Sequence, residues 1–362
     1  MKRAKLLFDK IASLDNLELA SRLASKGKKK RKNVKRFFED KDKKLQFLHE
    51  LLVSGKYHSM GYTKKSIVDR CSNKHREIFV PKFFPDQIVQ WALILQIKPY
   101  LTRGMYAYSC ASVEGRGSYY GYKYVKRILQ DTKNTKYCLV MDIKRFYPSI
   151  DQDVLMDKFR KIIKDRRTIE LIDKIVRSVP SGVPIGNYTS QWFANFFLQD
   201  YDHFVKERLH ARYYVRYMDD MLLFCSSKDH LHFCVRRSKN FLKIQKLKIK
   251  PNYQVFLVAN KIALGRAPDF LGYKFFRNFI ALRGRTFLRA RRRVSKVCNK
   301  SRLTAKDSSA ILSYVSRINL VSNTKIYNSF VKNNINLGNC KKVVSFHDRQ
   351  QAKQVQNLVK CG

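Results

Sequence analysis

The stretch Tyr213 to Phe224, YYVRYMDDMLLF, sets two adjacent aspartates, Asp219 and Asp220, between short runs of aromatic and aliphatic residues. Runs of that kind read as strands, and acids placed between them read as the tip of a hairpin. Like charges held that close and away from water cannot both stay ionised cheaply. Either one carboxyl keeps a proton, or a cation belongs there. The rest of the chain sharpens the problem, because Lys and Arg number 75 against 28 Asp and Glu, a formal net charge of +47. An apolar content of 44% is that of a globular protein, so the charge does not signal disorder. Such an imbalance opposes compaction unless a polyanion neutralises it, and nucleic acid is the first partner to expect. A ribosomal-type structural protein and a binder of anionic membrane surfaces are the other classes this charge allows.

Other classes find no support. No run approaches the roughly 18 apolar residues of a membrane span. The opening MKRAKLLFDKIASLDNLELA interrupts its apolar stretch with Asp9, Lys10, Asp15 and Glu18, so it does not read as a signal peptide. The eight cysteines are scattered without a C-x-x-C pair, which signals neither zinc nor disulfides and fits a reducing cytoplasm.

At 362 residues the chain is long enough for two or three domains, or one large core with appendages. Residues 25–36, SKGKKKRKNVKR, form a basic run in which Lys28, Lys29, Lys30 and Arg31 are candidates for a nucleic-acid arm. A helix with Leu45, Leu48 and Leu52 on one face follows. Two strands meeting near Cys71 to Asn73 come next, then a helix at about 85–97 and a glycine-flanked loop, SVEGRGS, that opens another. KYCLVMDIKRFYPSID reads as a buried strand ending in a turn into a helix. VPSGVPIGNYTSQ is a loop launching a long helix through Leu209. After the hairpin come a helix at about 228–244, short strands up to DFLGYKFF, and a basic, mostly helical end from Asn278. The pattern predicts an α+β sheet domain with additions at both ends: an N-terminal extension over 1–56, a central domain over 57–275 and a basic helical region over 276–362.

Asp142 ends the strand YCLVM. A strand end and a hairpin tip can meet at one edge of a sheet, and Asp142, Asp219 and Asp220 converging there make an oxygen-ligand site for divalent metal. Two Mg²⁺ ions about 4 Å apart, with Mn²⁺ as a substitute, would activate a hydroxyl and stabilise a leaving pyrophosphate.

These residues carry a resemblance. Tyr217-Met218-Asp219-Asp220 resembles the Y-x-D-D hairpin of reverse transcriptases, and MDIKRFYPSID resembles their first catalytic strand. KHREI and SVEGRGS match the fingers blocks, SGVPIGNYTSQ the substrate loop and helix, and FLGY the strand supporting the primer end, all in the family's order across about 57–275. The resemblance implies a right-hand polymerase fold of fingers, a palm with a ferredoxin-like antiparallel sheet, and a helical thumb. It implies Asp142 and Asp219 as principal metal ligands together with the backbone carbonyl of Ile143, and Asp220 as the accessory acid. Tyr147 matches the aromatic gate that excludes a ribonucleotide 2′-hydroxyl. Arg76, with Lys74 beside it, would clamp the triphosphate of an incoming dNTP. Ile185, Gly186 and Gln191 would border the nascent base pair, and Lys250 is a candidate proton donor to pyrophosphate. Arg116, Gly272 and Tyr273 would touch nucleic acid.

One position departs from the wider pattern. Most reverse transcriptases carry Gln where this chain has Ile185, and Ile cannot make the amide's hydrogen bond near the base pair. Losing that bond weakens discrimination, since sites that bond their substrate select better than apolar ones. The sequence Ile185-Gly186-x-x-x-Ser190-Gln191 is similar to the signature of diversity-generating retroelement reverse transcriptases. That likeness implies error-prone copying of a template-repeat RNA, together with a small, basic, oligomeric accessory variability protein. Retron and phage-defence enzymes share parts of the pattern and imply a dedicated noncoding RNA instead.

In RGRTFLRARRRVSK, the residues Arg289, Arg291, Arg292 and Arg293 cover more than one side of a helix and suit the phosphates of an RNA–DNA duplex. From residue 266 onward the only acids are Asp269, Asp307 and Asp348. An RNase H site needs more carboxylates than that, and Cys298, Cys340, Cys361 and His347 make no recognisable endonuclease cluster. RNA removal and target nicking are therefore expected to come from elsewhere.

Overall fold

The structure, a computed structural model, describes residues 3–69, 74–259, 265–298, 300, 302–321 and 335–360. The turn expected near Cys71 to Asn73 lies outside them. The chain divides into two compact units, Met1–Gly121 with Leu139–Gln254, and Tyr122–Cys138 with Val255–Gly362.

The first unit opens with four helices, α1 (Phe8–Ala12), α2 (Leu14–Ser25), α3 (Lys32–Glu39) and α4 (Lys41–Val53). Ser13 caps α2 by accepting the N–H of Asn16, satisfying one donor that the first turn leaves open. Leu45, Leu48 and Leu52 are all buried on α4, the face that the spacing predicts. The strands β1 (Tyr62–Asp69) and β2 (Lys74–Pro81) form an antiparallel ribbon in which Ile67 faces Arg76. A π-helical turn, Phe83–Gln87, leads into α5 (Ile88–Thr102), so the helix runs further than the expected 85–97. α2 packs on α5, where the Asn16 amide donates to the Ala92 carbonyl (3.1 Å) and accepts from Gln96 (2.7 Å). α6 (Ser118–Ile128) follows the glycine-flanked loop.

Next come β3 (Tyr137–Asp142), a short α7 (Phe146–Ser149), α8 (Gln152–Ile162), α9 (Arg166–Val176), α10 (Tyr188–Phe197) and α11 (Gln199–His203). The helix expected to run unbroken to Leu209 is interrupted at Leu198 and ends in a π-helical turn, Phe204–Arg208. The hairpin β4 (Tyr213–Tyr217) and β5 (Asp220–Cys225) leads to α12 (Lys228–Ile244). In this unit the sheet runs β4-β5-β3, so β5 is central. The middle residues of β4 and β5 are all buried, as in strands covered on both faces rather than wetted on one. The segment after α12 closes on the end of β3: Lys144 N–H donates to Lys248 O and Lys250 N–H to Asp142 O, both at 2.8 Å.

After β6 (Gln254–Leu257), the second unit contains the three-stranded sheet of β7 (Asp269–Phe270), β8 (Tyr273–Phe275) and β9 (Ile280–Leu282). The helices α13 (Gly284–Cys298), α14 (Ala305–Ile318) and α15 (Leu337–Lys360) follow. Its core joins Ala290, Val294 and Val297 to Ile311, Val315, Ile318 and Cys340. Tyr122 lies against Tyr273 and Phe275, and the Arg277 guanidinium donates to the carbonyls of Leu129 and Thr135.

Residues 1–56 belong with the first unit because α2 and α4 bury their apolar faces within it. Residues 255–275 belong with the second, where Phe270, Tyr273 and Phe275 are core. The chain is α+β, as its pattern of strands and helices predicts. Among the described residues no helix is long and apolar enough to cross a membrane.

Candidate active site

Asp142 is the last residue of β3 and Asp219 sits in the two-residue loop between β4 and β5, whose closing pair is Tyr217 with Asp220. The sheet order puts β5 beside β3, so the strand end and the loop meet. The Asp219 carboxyl is pushed up to about 6, first by burial and then by the negative charge of Asp142. Lys250 Nζ donates to Asp142 Oδ2, while Asp142 Oδ1 is buried without a hydrogen-bond partner. One ammonium thus offsets part of the repulsion and leaves an orphaned carboxylate oxygen beside a second acid. That is the oxygen-only donor set a hard divalent cation takes. Asp220 opens β5 half-buried, and among the described residues no three His, Cys, Asp or Glu side chains are gathered closely enough to hold a metal. The donors to be considered are therefore two carboxylates and the backbone near Ile143, which pairs with Ile249 across the bridge.

Tyr147, on α7, stands within electrostatic reach of Asp219 and Arg76 together. Its hydroxyl is pushed up to about 12, first by burial and then by Asp219 and Tyr217, with Arg76 opposing. Arg76 on β2 is exposed and acts on the same Tyr147 hydroxyl as Asp219. Lys74 begins β2, and its side chain lies outside the described residues.

The loop 182–187 is clamped at both ends. A Cβ on Gly182 would lie 2.5 Å from the Tyr147 carbonyl oxygen, and Val183 N–H donates to that oxygen at 3.0 Å. At the other end Phe79 N–H donates to Ile185 O (2.7 Å), and a Cβ on Gly186 (φ +125°) would run into Phe79 O and lie 2.9 Å from Ile78 Cγ2. Only glycine fits at either point. Gly182 was not among the residues expected to matter, although its place in Pro-Ser-Gly-Val-Pro marked a turn. Past the loop, Ser190 Oγ donates to Pro184 O and Ser112 Oγ to Gln191 Oε1.

A cavity of about 380 Å³ opens here. Tyr147, Ile185, Gly186 and Gln191 line it, joined by Lys28 and Arg31 from the turn between α2 and α3. Lys28 donates to Gln87 Oε1 (2.8 Å), and burial followed by the nearby Arg31 holds its ammonium below the ordinary lysine range. Lys29 and Lys30 are exposed on the same turn and do not line the cavity. Arg116 is spent locally, donating to the carbonyls of Tyr106 (2.7 Å) and Ser109 (3.2 Å).

In the second unit, Gly272 (φ +90°) makes the turn from β7 to β8, and its carbonyl accepts Arg283 N–H. Tyr273 is buried. On α13, Arg291 and Arg292 are exposed and Arg289 is half-buried, whereas Arg293 is paired with Asp307 at 2.7 Å.

At this sheet edge paired acids stand beside a buried tyrosine hydroxyl and a glycine-clamped loop. The chain belongs to the reverse transcriptase family: residues 63–275, more than half of it, match the family described as reverse transcriptase (RNA-dependent DNA polymerase). It is similar to Protein YkfC of Escherichia coli strain K12, 24% identical over 176 residues, covering 45% of this chain. It is also similar to the Retron Ec73 reverse transcriptase of Escherichia coli, 27% identical over 148 residues, covering 37% of this chain. The aligned part is 46% of each relative, so the chain spans about half the length of the curated proteins it matches. Among solved structures, telomerase from Candida tropicalis with a TWJ fragment of telomeric RNA aligns at 14% identity and a TM-score of 0.46, over 78% of this chain and 58% of that one.

Proposed function

We propose that the protein is an RNA-directed DNA polymerase working on a template RNA and the RNA–DNA duplex it produces. The observation that carries this is the orphaned Asp142 oxygen next to Asp219, at an edge shared with Tyr147 and Arg76. Asp142, Asp219 and the Ile143 carbonyl would hold divalent cations, Mg²⁺ or in its place Mn²⁺, with Asp220 as the accessory acid. Such a cation lowers the pKa of a bound hydroxyl and offsets charge on phosphate oxygens. Around it, the guanidinium fork of Arg76 suits the triphosphate of a dNTP, with Lys74 as a second cation. The Tyr147 ring bounds the space beneath the sugar and excludes a 2′-hydroxyl. Lys250, already bonded to Asp142, offsets the acid pair and is the nearest ammonium able to give a proton to pyrophosphate. Lys28 to Arg31 and, on α13, the exposed Arg291 and Arg292 are the contacts assigned to nucleic acid.

Within the family, the Ile185-Gly186-x-x-x-Ser190-Gln191 run supports a diversity-generating retroelement enzyme, error-prone and acting with a small basic accessory protein. The likeness to a retron enzyme supports a second reading, the same chemistry with a dedicated noncoding RNA.

Primer extension on a defined RNA with dNTPs and Mg²⁺ tests the activity, with Asp219→Asn as the control. No extension above that control by the wild type overturns it. Sequencing the cDNA made by wild type and Ile185→Gln tests the finer reading: errors at template adenines should fall in the variant, and identical spectra remove Ile185 as their source.

A further inference from the structure

Arg216 lies on β4, three residues before Asp219, and is wholly buried with Asp202, Asn195 and Tyr214. Its guanidinium makes four hydrogen bonds. Nε donates to Asp202 Oδ1 (2.7 Å) and Nη2 to Asp202 Oδ2 (2.5 Å), a two-pronged pair. Nη1 then donates twice more, to Asn195 Oδ1 and to the carbonyl of Met218, each at 3.1 Å. Tyr214 adds its hydroxyl to Asp202 Oδ1 (2.8 Å).

Met218 is the residue that most needs a partner. It occupies the first position of the two-residue loop with φ +55°, a place where hairpins usually carry glycine because a side chain is strained there. Its carbonyl bond to Arg216 is a contact that the left-handed conformation makes with the protein core. Asn195 lies on α10, one turn beyond Gln191 on the same helical face, and its amide is anchored to the Ala111 carbonyl (2.7 Å). One guanidinium therefore joins the acidic loop to the helix that begins at the substrate loop.

We propose that Arg216 is a positioning residue: locked by Asp202, it holds Met218 left-handed and so aims Asp219 at Asp142, with Asn195 setting that loop against α10. A pair that served stability alone would have no reason to reach the strained carbonyl. The proposal rests on the polymerase reading only for its activity measurement; cation affinity reports on the loop independently.

The test removes the guanidinium without stranding a charge. In Arg216→Met/Asp202→Asn the asparagine still accepts from Tyr214, and exchanging a buried ion pair for neutral groups leaves folding largely intact. Mn²⁺ affinity, read by the spin resonance of the free ion, should fall about tenfold, as it does when the support of a metal ligand is lost. Extension rate at saturating dNTP should fall about a hundredfold with KM little changed, as expected when reacting groups are misplaced by about an ångström. Adding Met218→Gly, which makes a positive φ free of strain, should recover most of both losses without changing the melting temperature. Wild-type Mn²⁺ affinity in the pair variant overturns the proposal. So do losses that Met218→Gly leaves untouched, or that follow only the melting temperature. A wild type that binds Mn²⁺ yet extends no primer sinks the polymerase reading, and the Mn²⁺ comparison then decides the role of Arg216.

Discussion

At the loop between β4 and β5 the chain uses few charges and keeps each at least partly buried; along α13 it carries many and turns most of them outward. Around the loop, Asp219, Asp142 and Lys250 act on one another, and Arg216 pairs with Asp202 beneath Met218. In that low-dielectric setting each charge acts strongly on its neighbours, and one substitution changes the whole set. Around α13 the scarce acids are committed to structure: Asp307 on α14 takes Arg293 and Lys300, and Asp269 on β7 takes Arg283. Arg291 and Arg292 remain at the surface, where water and salt weaken each charge and only the sum matters. Chemistry concentrates in the first arrangement and grip in the second.

The largest effect should come from Asp219→Asn. Extension should drop by on the order of a thousandfold, the several kcal/mol of charge stabilisation that a metal ligand helps supply. In the absence of divalent metal the same protein should melt higher than wild type, because a buried like charge has gone. A variant that loses activity and also melts lower would mean that Asp219 holds the fold together. Next, Gly186→Ala should cost about 1–3 kcal/mol in urea unfolding, the range for a side chain forced into a disfavoured backbone region. If it is neutral, the clamp of the loop against β2 is dispensable. The smallest effects belong to Arg291→Ala and Arg292→Ala. Each should leave sequence preference unchanged and reduce the slope of log affinity for RNA–DNA duplex against log salt by about 0.9, the value for one phosphate contact.

The sequence was legible where a residue's type and its neighbours' period carried the same message. β4 and β5 are mostly aromatic and aliphatic, Leu45, Leu48 and Leu52 share a helical face, and Asp219 stands out because acids between buried strands are costly. It was less legible where the partner lies far along the chain. Arg216 reads as one more arginine in a basic protein until Asp202 and Asn195 are folded around it. Arg116 and Arg293 look like phosphate ligands in sequence, yet each spends its fork on nearby protein atoms. Lys28 is indistinguishable by type from Lys29 and Lys30, and only the packing of the turn after α2 puts it in the cavity wall. The break at Leu198 and the extent of α5 were hidden for a simpler reason: propensity blurs the ends and joints of helices.

The Asp165 carboxylate, which caps α9 at Thr168, also accepts the N–H groups of Leu7 and Phe8, and Ala4 bridges to Ile163. Leu7, Phe8 and Ile11 are core residues, yet their anchor lies more than 150 positions downstream. While the polypeptide is being synthesised, this greasy segment can pack on α2, α4 and α5 but lacks its backbone anchor until Asp165 emerges. A chaperone acting on the nascent chain, or slowed translation just after residue 165, should therefore raise the yield of folded protein.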